Sequence, residues 1–263
     1  MQINERSKNY EKIRFIRGGG TLRAPAFTLA EVLVTLGIIG VVAAMTMPSL
    51  IANHQEKQTV SQLKKSYSTI QQAFLSARNE YGDIADWSDA GTRPQLSDEW
   101  FQKLKPYMNI VKYCGLSSGA PKDCMGSSYQ TLNKNRTNMD LNDNGSSGVN
   151  FVLADGSSVR FVAYDKDCNH LDSDYCGNIY IDVNGAKKPN QIGRDYFYFA
   201  ILPDRILPGG SQVSGENIFQ EQCNMEASYT SNGDGCSAWV LINENLDYLH
   251  CNDLNWNGKT SCK

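Results

Sequence analysis

Histidine is scarce in this sequence, with three in 263 residues, and the three are scattered. That leaves little for a metalloenzyme built on imidazole ligands. Charged residues make up only 20% of the chain and aromatics reach 10%, a balance that excludes an intrinsically disordered polymer. The net charge of −3 removes the simplest case for a nucleic-acid binder, because neutralising phosphates takes clustered Lys and Arg. There is no internal repeat and no Cys-x-x-Cys pair. What is present is a 41% apolar chain long enough for one large domain or two small ones. Eight cysteines are many for a reducing compartment. Together these totals favour an exported, disulfide-bearing structural or binding protein.

Charge is distributed unevenly. Residues 1–26 carry a net +4, residues 27–81 a net +1 and residues 82–263 a net −8. A basic start, an apolar span and an acidic body are the pattern of a translocated protein oriented by positive-inside bias. The span runs from Phe27 to Met47 with one charge, Glu31, and is closed by Pro48. At ~1.5 Å per residue, about 20 helical residues cross a bilayer core of ~30 Å, so this segment is long enough. A secretory signal has a shorter apolar core, roughly 7–15 residues, with its small-x-small cleavage site after it. Here the small residues Ala24 and Ala26 precede the apolar run, so cleavage there leaves the hydrophobic helix on the mature chain.

Glu31 is anomalous, because a carboxylate inside a membrane helix costs on the order of 2.5–3.5 kcal/mol unless it has a partner. A charge snorkelling near a helix end is the simplest account. A second account places a neighbouring copy's freed α-amine at Phe27 within reach of Glu31, so that lateral assembly relieves the cost. The run Ala26-Phe27-Thr28-Leu29-Ala30-Glu31-Val32 resembles the prepilin processing motif of type IV pilins and type II secretion pseudopilins. In that family a basic leader is cut just before Phe, and Glu is the fifth mature residue. Phe27 and Glu31 match those positions, Ala26 stands where Gly is usual, and Pro48 falls where many members also carry a helix-disturbing Pro. The resemblance implies removal of residues 1–26 by a membrane prepilin peptidase and N-methylation of Phe27.

Beyond Pro48 the residues Val60, Leu63, Tyr67, Ile70, Phe74, Ala77 and Tyr81 recur at alternating spacings of three and four, one face of a helix. Gly82 supplies a stop. A mid-helix Pro removes a hydrogen bond and costs ~3 kcal/mol or more, which predicts either a simple kink or a segment able to stretch on packing. After a polar connector over 82–100, a short helical piece is predicted from Asp98 to Tyr107, then a loop-heavy region over 113–148. Strands are expected at Val149–Ala154 and Ser157–Tyr164, joined through Asp155-Gly156 as a type I′ hairpin. Further strands are expected at Asn178–Val183, Tyr196–Leu202 and Ala238–Asn243. The predicted class is α+β: a long N-terminal helix, membrane-spanning in its first half, packed on an antiparallel β-sheet head with disulfide-closed loops. The domain reading is a leader at 1–26, an assembly helix at 27–48, its amphipathic continuation at 49–81 and a head at 82–263.

The cysteines are Cys114, Cys124, Cys168, Cys176, Cys223, Cys236, Cys251 and Cys262, all past the apolar span. Eight cysteines allow roughly 105 pairings. They fall into sequential doublets with 9, 7, 12 and 10 residues between partners, which favours local pairing, each bond closing a polar loop. A zinc site on Cys168, His170 and Cys176 lacks a fourth ligand at a recognisable spacing. Gly115-Leu116-Ser117-Ser118-Gly119 fits G-x-S-x-G, but no buried strand is legible before it, so it reads as chance. Asp140-Leu141-Asn142-Asp143-Asn144-Gly145 opens like a calcium loop, yet its twelfth position is Phe151 where a bidentate Glu belongs. The oxygen-rich patch Asp165, Asp167, Asn169, Asp172 and Asp174 invites a hard cation, with a solvated loop as the simpler reading. The run from Ile179 through Asp182, Asn184, Gly185, Pro189, Asn190 and Asp195 to Phe199 looks like a head signature of bacterial pilin-like proteins. It reads as strand, turn, loop and aromatic strand, with aromatics on both sheet faces.

The expectation is therefore a non-catalytic pilin or pseudopilin subunit, cut at Phe27 and polymerising through its N-terminal helix by apolar packing and the Glu31–amine pairing. The resemblance implies as partners other pilin-like subunits, the peptidase, an inner-membrane platform and an assembly ATPase. It places the chain as a single pass in a bacterial inner membrane with its head in the periplasm, or in a periplasmic or surface filament. No nucleic-acid partner and no cofactor are expected, calcium being the one candidate. The alternative is a monomeric, membrane-anchored binding or adhesion module, which has no use for Glu31.

Overall fold

The computed structural model describes residues 27–117, 124–135, 148–169, 174–211, 218–227 and 231–262. Two compact units divide the chain, Met1–Ser49 and Leu50–Lys263. Helix α1 covers Leu29–Tyr81, 53 residues with Pro48 inside it. Gly82 ends the helix as the spacing predicts: its φ of +82° is open to a residue without Cβ, and its N–H bonds the Arg78 carbonyl. From Leu50 onward the helix buries Val60, Leu63, Ser66, Ile70, Ala73, Phe74 and Ala77. Tyr67 and Tyr81 sit half-covered at the margin of that stripe.

Helix α2 runs over Arg93–Leu104 and continues as a 3-10 turn to Tyr107. It starts five residues earlier than the Asp98 expected from sequence. Thr92 enters it in an extended conformation and Pro94 occupies its first turn, where a missing N–H costs nothing, so residues that looked like a linker begin the helix. Six strands follow: β1 (Ile110–Ser117), β2 (Gly148–Leu153), β3 (Ser158–Ala163), β4 (Gly177–Asp182), β5 (Tyr196–Ile201) and β6 (Ile206–Pro208). They form one sheet in the order β1-β2-β3-β4-β5-β6, every neighbouring pair antiparallel. The architecture is thus the expected α+β layout, a long helix followed by an antiparallel sheet. Two short helices, α3 (Ile218–Gln222) and α4 (Ser237–Asn243), come after it.

Three local expectations are corrected. The stretch from residue 113, read as loop, opens inside β1, an edge strand whose pairing with β2 shifts register twice. Such bulges break the alternation that marks a strand in sequence. Ala238–Asn243 was expected as a strand and is α4. A five-residue apolar run fits either state, and here Trp239 and Val240 are buried while Ile242 stays 67% exposed. The β2–β3 turn is not type I′, which needs positive φ at both central residues. Only Gly156 is left-handed, Gly156 N–H bonds the Leu153 carbonyl, and Leu153 N–H bonds the Ser157 carbonyl, making a three-residue loop.

The inner sheet face supplies Phe151, Leu153, Val159, Phe161, Ile179, Ile181, Phe197 and Phe199 to one core with the α1 stripe and Leu96, Trp100, Phe101 and Leu104 of α2. Rings run through it in a chain. Phe74 meets Trp87 at 5.7 Å, Trp87 meets Trp100 at 6.4 Å, and Trp100 meets Phe161 at 6.5 Å. Tyr67 stacks on Phe199 at 5.1 Å. Ser66 is the one hydroxyl on the buried stripe. It bonds Asp155 Oδ2 at 3.0 Å and lies 2.6 Å from Ser157 Oγ, while Gln62 donates to the Asp155 carbonyl, fastening the β2–β3 turn to α1. All four disulfides join sequence neighbours: Cys114–Cys124, Cys168–Cys176, Cys223–Cys236 and Cys251–Cys262.

Trp100 is fully enclosed and touches rings on two sides. Trp100→Ala is expected to lower stability by about 3–5 kcal/mol, measured by denaturant unfolding of the detergent-solubilised chain.

Candidate functional site

Two regions carry chemistry: the start of α1 and the outer face of the sheet. At the start of α1, Thr28 Oγ accepts the Glu31 N–H at 3.2 Å, and Glu31 Oε2 accepts both the Thr28 N–H and the Thr28 hydroxyl at 2.8 Å. This is a reciprocal capping box, Thr-x-x-Glu, which satisfies backbone donors that a helix start leaves open. The T-x-x-E spacing was in the sequence, hidden behind the anomaly of the charge. Phe27 is 83% exposed, and Ala26 lies outside the described residues.

Along Met1–Ser49 the described helix residues bury nothing: Leu33, Leu36, Ile38 and Ile39 all stay exposed. Covering one such side chain is worth about 1.5–3 kcal/mol, so the segment calls for an apolar environment. It is long and apolar enough to cross a membrane. Pro48 sits inside the continuous helix, flanked by hydroxyls that bond helix carbonyls, Thr46 to Val42 at 2.9 Å and Ser49 to Thr46 at 2.9 Å. The segment offers packing surface and one carboxylate.

On the outer sheet face, Tyr129, Tyr180 and Tyr196 form a second buried cluster with Met125 and Ile192, covered by the segments around residues 124–132 and 184–195. Tyr180 and Tyr196 stack at 5.1 Å. Two carboxylates sit under this cover. Asp195 accepts from the Gln191 N–H at 2.6 Å, the Asn190 N–H at 2.8 Å and the Asn184 amide at 3.1 Å, pinning the β4–β5 connection. Asp182 accepts from the Tyr129 hydroxyl at 2.5 Å and the Asn184 N–H at 3.2 Å. Burial pushes the Asp182 carboxyl well above the usual range and the charge of Asp195 adds to it; burial also raises Asp195, partly offset by its backbone donors.

Two grooves of about 400 and 430 Å³ flank α1 beyond Leu50. The first is bordered by Gln55, Thr59, Asn184, Lys187, Lys188 and Arg194, the second by Asn53, Lys57, Leu246, Asp247 and Cys262. His250 bonds Glu56 across 2.8 Å at the second.

The other residues singled out from sequence fare as follows. Cys168 and Cys176 are bonded to each other, which removes them as zinc ligands; His170 and Asp172 lie outside the described residues, as does 140–145. Asp165 is occupied with its own loop, accepting the Asp167 and Asn169 N–H groups at 3.0 and 3.2 Å. Among the described residues no group of three or more His, Cys, Asp or Glu could hold a metal. Gly115-Leu116-Ser117 ends a strand, but as expected not a buried one. It is the exposed edge strand β1, with Val111 64% and Leu116 41% exposed, and a nucleophile elbow needs a strand held within the sheet.

A family of unknown function, DUF6613, matches residues 49–245, three quarters of the chain. The chain belongs to the DUF6613 family. Its matched region takes in the buried part of α1, the whole sheet and α4, and leaves out the apolar segment before Pro48. An 81-residue stretch, 30% of this DUF6613 chain, is 31% identical to the type IV major pilin protein PilA of Myxococcus xanthus (strain DK1622). The chain spans 36% of that protein's length. No solved structure matches.

Asp234, in the turn leading to α4, has one carboxylate oxygen enclosed without a partner, and burial raises its carboxyl from the usual 3.8 to about 7. The fold therefore holds more protons than the unfolded chain between those values, so stability falls as pH rises from 4 to 7. Asp234→Asn is expected to flatten that slope and to raise the melting temperature at pH 7.5, measured by thermal unfolding across the pH range.

Proposed function

We propose that the chain is a pilin-like structural subunit, trimmed between Ala26 and Phe27, methylated on Phe27, and assembled with other such subunits through residues 27–48. The observation that carries this reading is the helix start itself. A run of apolar side chains with nothing burying them carries a single carboxylate, Glu31, drawn back to the first turn where a freed α-amine at Phe27 would stand. The partial likeness to a type IV major pilin, the α+β layout and the four disulfides support it. In this reading α1 supplies the assembly surface and the acidic, disulfide-closed remainder supplies the exposed surface. The role is mechanical, and no catalytic step is assigned. The chain inserts as a single pass with residues 82–263 on the far side of a bacterial inner membrane. Prepilin peptidase, a platform protein and an assembly ATPase act on it.

The capping box makes the test specific. Glu31→Gln keeps an acceptor for the Thr28 N–H and removes the charge; Glu31→Ala removes both. Both variants are expected to insert into the membrane and to drop out of filaments by at least tenfold, read by immunoblot of sheared surface material and of crosslinked membrane fractions. Glu31→Gln assembling like the wild type would reduce Glu31 to a helix cap and defeat the pairing. N-terminal peptide mass spectrometry is expected to find methylated Phe27. A peptide retaining residues upstream of Phe27 in assembled material would overturn the processing step.

The groove beside Lys187, Lys188 and Arg194 favours a second reading, a monomeric anchored module that captures a ligand. It predicts full retention of function in Glu31→Ala with no crosslinked oligomer.

A further inference from the structure

Residues 82–263 carry a net −8, yet one groove in this acidic part of the chain is rimmed by cations. From Val183 to Arg194 the sequence has Lys187, Lys188 and Arg194 and no acid. All three are exposed, and none makes an ion pair among the described residues. They border the groove of about 400 Å³ whose opposite wall is α1 between Ala52 and Gln62. Two carboxylates border it as well, and both are already engaged. Glu56 bonds His250 at 2.8 Å, and Asp195 accepts the Asn190 and Gln191 N–H groups and the Asn184 amide. What is left for a ligand is two ammoniums, a guanidinium and the exposed amides of Gln55 and Gln58. That set suits an anion. The bonds to Asp195, with the Asn184 amide donating to the Lys188 carbonyl at 3.4 Å, also hold the backbone that carries the cations. Charges placed in advance lose less freedom on binding.

Chain connectivity indicates where the anion comes from. Ala52 follows Pro48 by four positions, and four residues reach about 14 Å at most in any conformation. A membrane that holds residues 29–47 therefore keeps this wall of the groove close to its headgroup layer, which is about 5–8 Å deep. The abundant anion of that layer is a phosphodiester, which Lys meets as a point charge and Arg with a bidentate fork. We propose that the groove between α1 and the β4–β5 connection binds the phosphate of an anionic phospholipid through Lys187, Lys188 and Arg194. The inference rests on anchoring by residues 29–47, which the subunit and the anchored-module readings share. Lipid binding gives the globular unit a fixed seat on the membrane surface, and a subunit drawn out of the membrane gives it up.

The test footprints lysines of the full-length chain by acetylation and mass spectrometry. The chain is held in nanodiscs of phosphatidylcholine alone or of phosphatidylcholine with phosphatidylglycerol. Lys187 and Lys188 are expected to react at least fivefold more slowly with phosphatidylglycerol present, and high salt is expected to abolish the difference. Lys105, exposed after α2, is the internal reference and is expected to react alike in both discs. Arg194→Gln is expected to remove at least half of the protection. Equal rates at Lys187 and Lys188 in the two discs overturn the proposal, as does equal protection of Lys105 or full protection in Arg194→Gln. Protection by free glycerol phosphate in phosphatidylcholine discs replaces the lipid with a soluble phosphate. Protection that grows with the number of chains per disc, without phosphatidylglycerol, replaces it with the acidic surface of a second copy. Either result also overturns the proposal. The same footprint in neutral detergent micelles doped with phosphatidylglycerol reads the groove without a bilayer. Failure of the chain to stay in discs thus counts against anchoring, and failure of the footprint in micelles counts against the groove.

Discussion

The stripe from Val60 to Ala77 is the constraint on which the globular unit depends. A six-stranded antiparallel sheet with Phe151, Phe161, Phe197 and Phe199 on one face has to hide that face, and α2 alone is too short to do so. The stripe supplies the missing cover, while Ser66, its one polar member, reads the position of the β2–β3 turn through Asp155 and Ser157. Packing fixes the distance between helix and sheet, and the hydroxyl fixes how far along the helix the sheet sits. A change on this face is therefore felt in the hairpin as well as in the core.

What sequence reveals here follows physical range. The stripe was legible because helical periodicity is a local property repeated over about five turns. The β2–β3 and β4–β5 strands were legible because the alternation is strong and punctuated by Gly. β1 was not, since two register shifts scramble its alternation, and neither was the helical state of Ser237–Asn243, where five apolar residues fit either geometry. Pro94 lies inside what reads as a polar connector over 82–100 and in fact begins α2. Of the candidate assembly segment, length, apolarity and the lone Glu31 were all readable. Its capping role was readable too, but only once Thr28 was weighed together with Glu31. The grouping of Asp182, Asn184, Asn190 and Asp195 was not, because proximity of side chains across a loop is a tertiary fact.

The two faces of the sheet differ in kind. The inner face is a hydrocarbon core in which shape alone decides the fit. The outer face is tyrosine, carboxylate and amide, where each group needs a partner, so geometry there is specified by hydrogen bonds. Such a face is demanding, since a half-satisfied polar network is worse than an apolar one.

The strand order and the cysteine pairing share one property: neighbours in space are neighbours in sequence. Each strand pairs with the one made just before it, and each disulfide closes across only 8 to 13 positions. Short closures are kinetically quick, because little chain entropy is lost before a contact forms. A chain that folds in the order of its synthesis can thus complete every bond from material already made. The topology suits a protein that has to finish folding one segment at a time, with the α1 stripe delivered first as the surface on which each new strand settles.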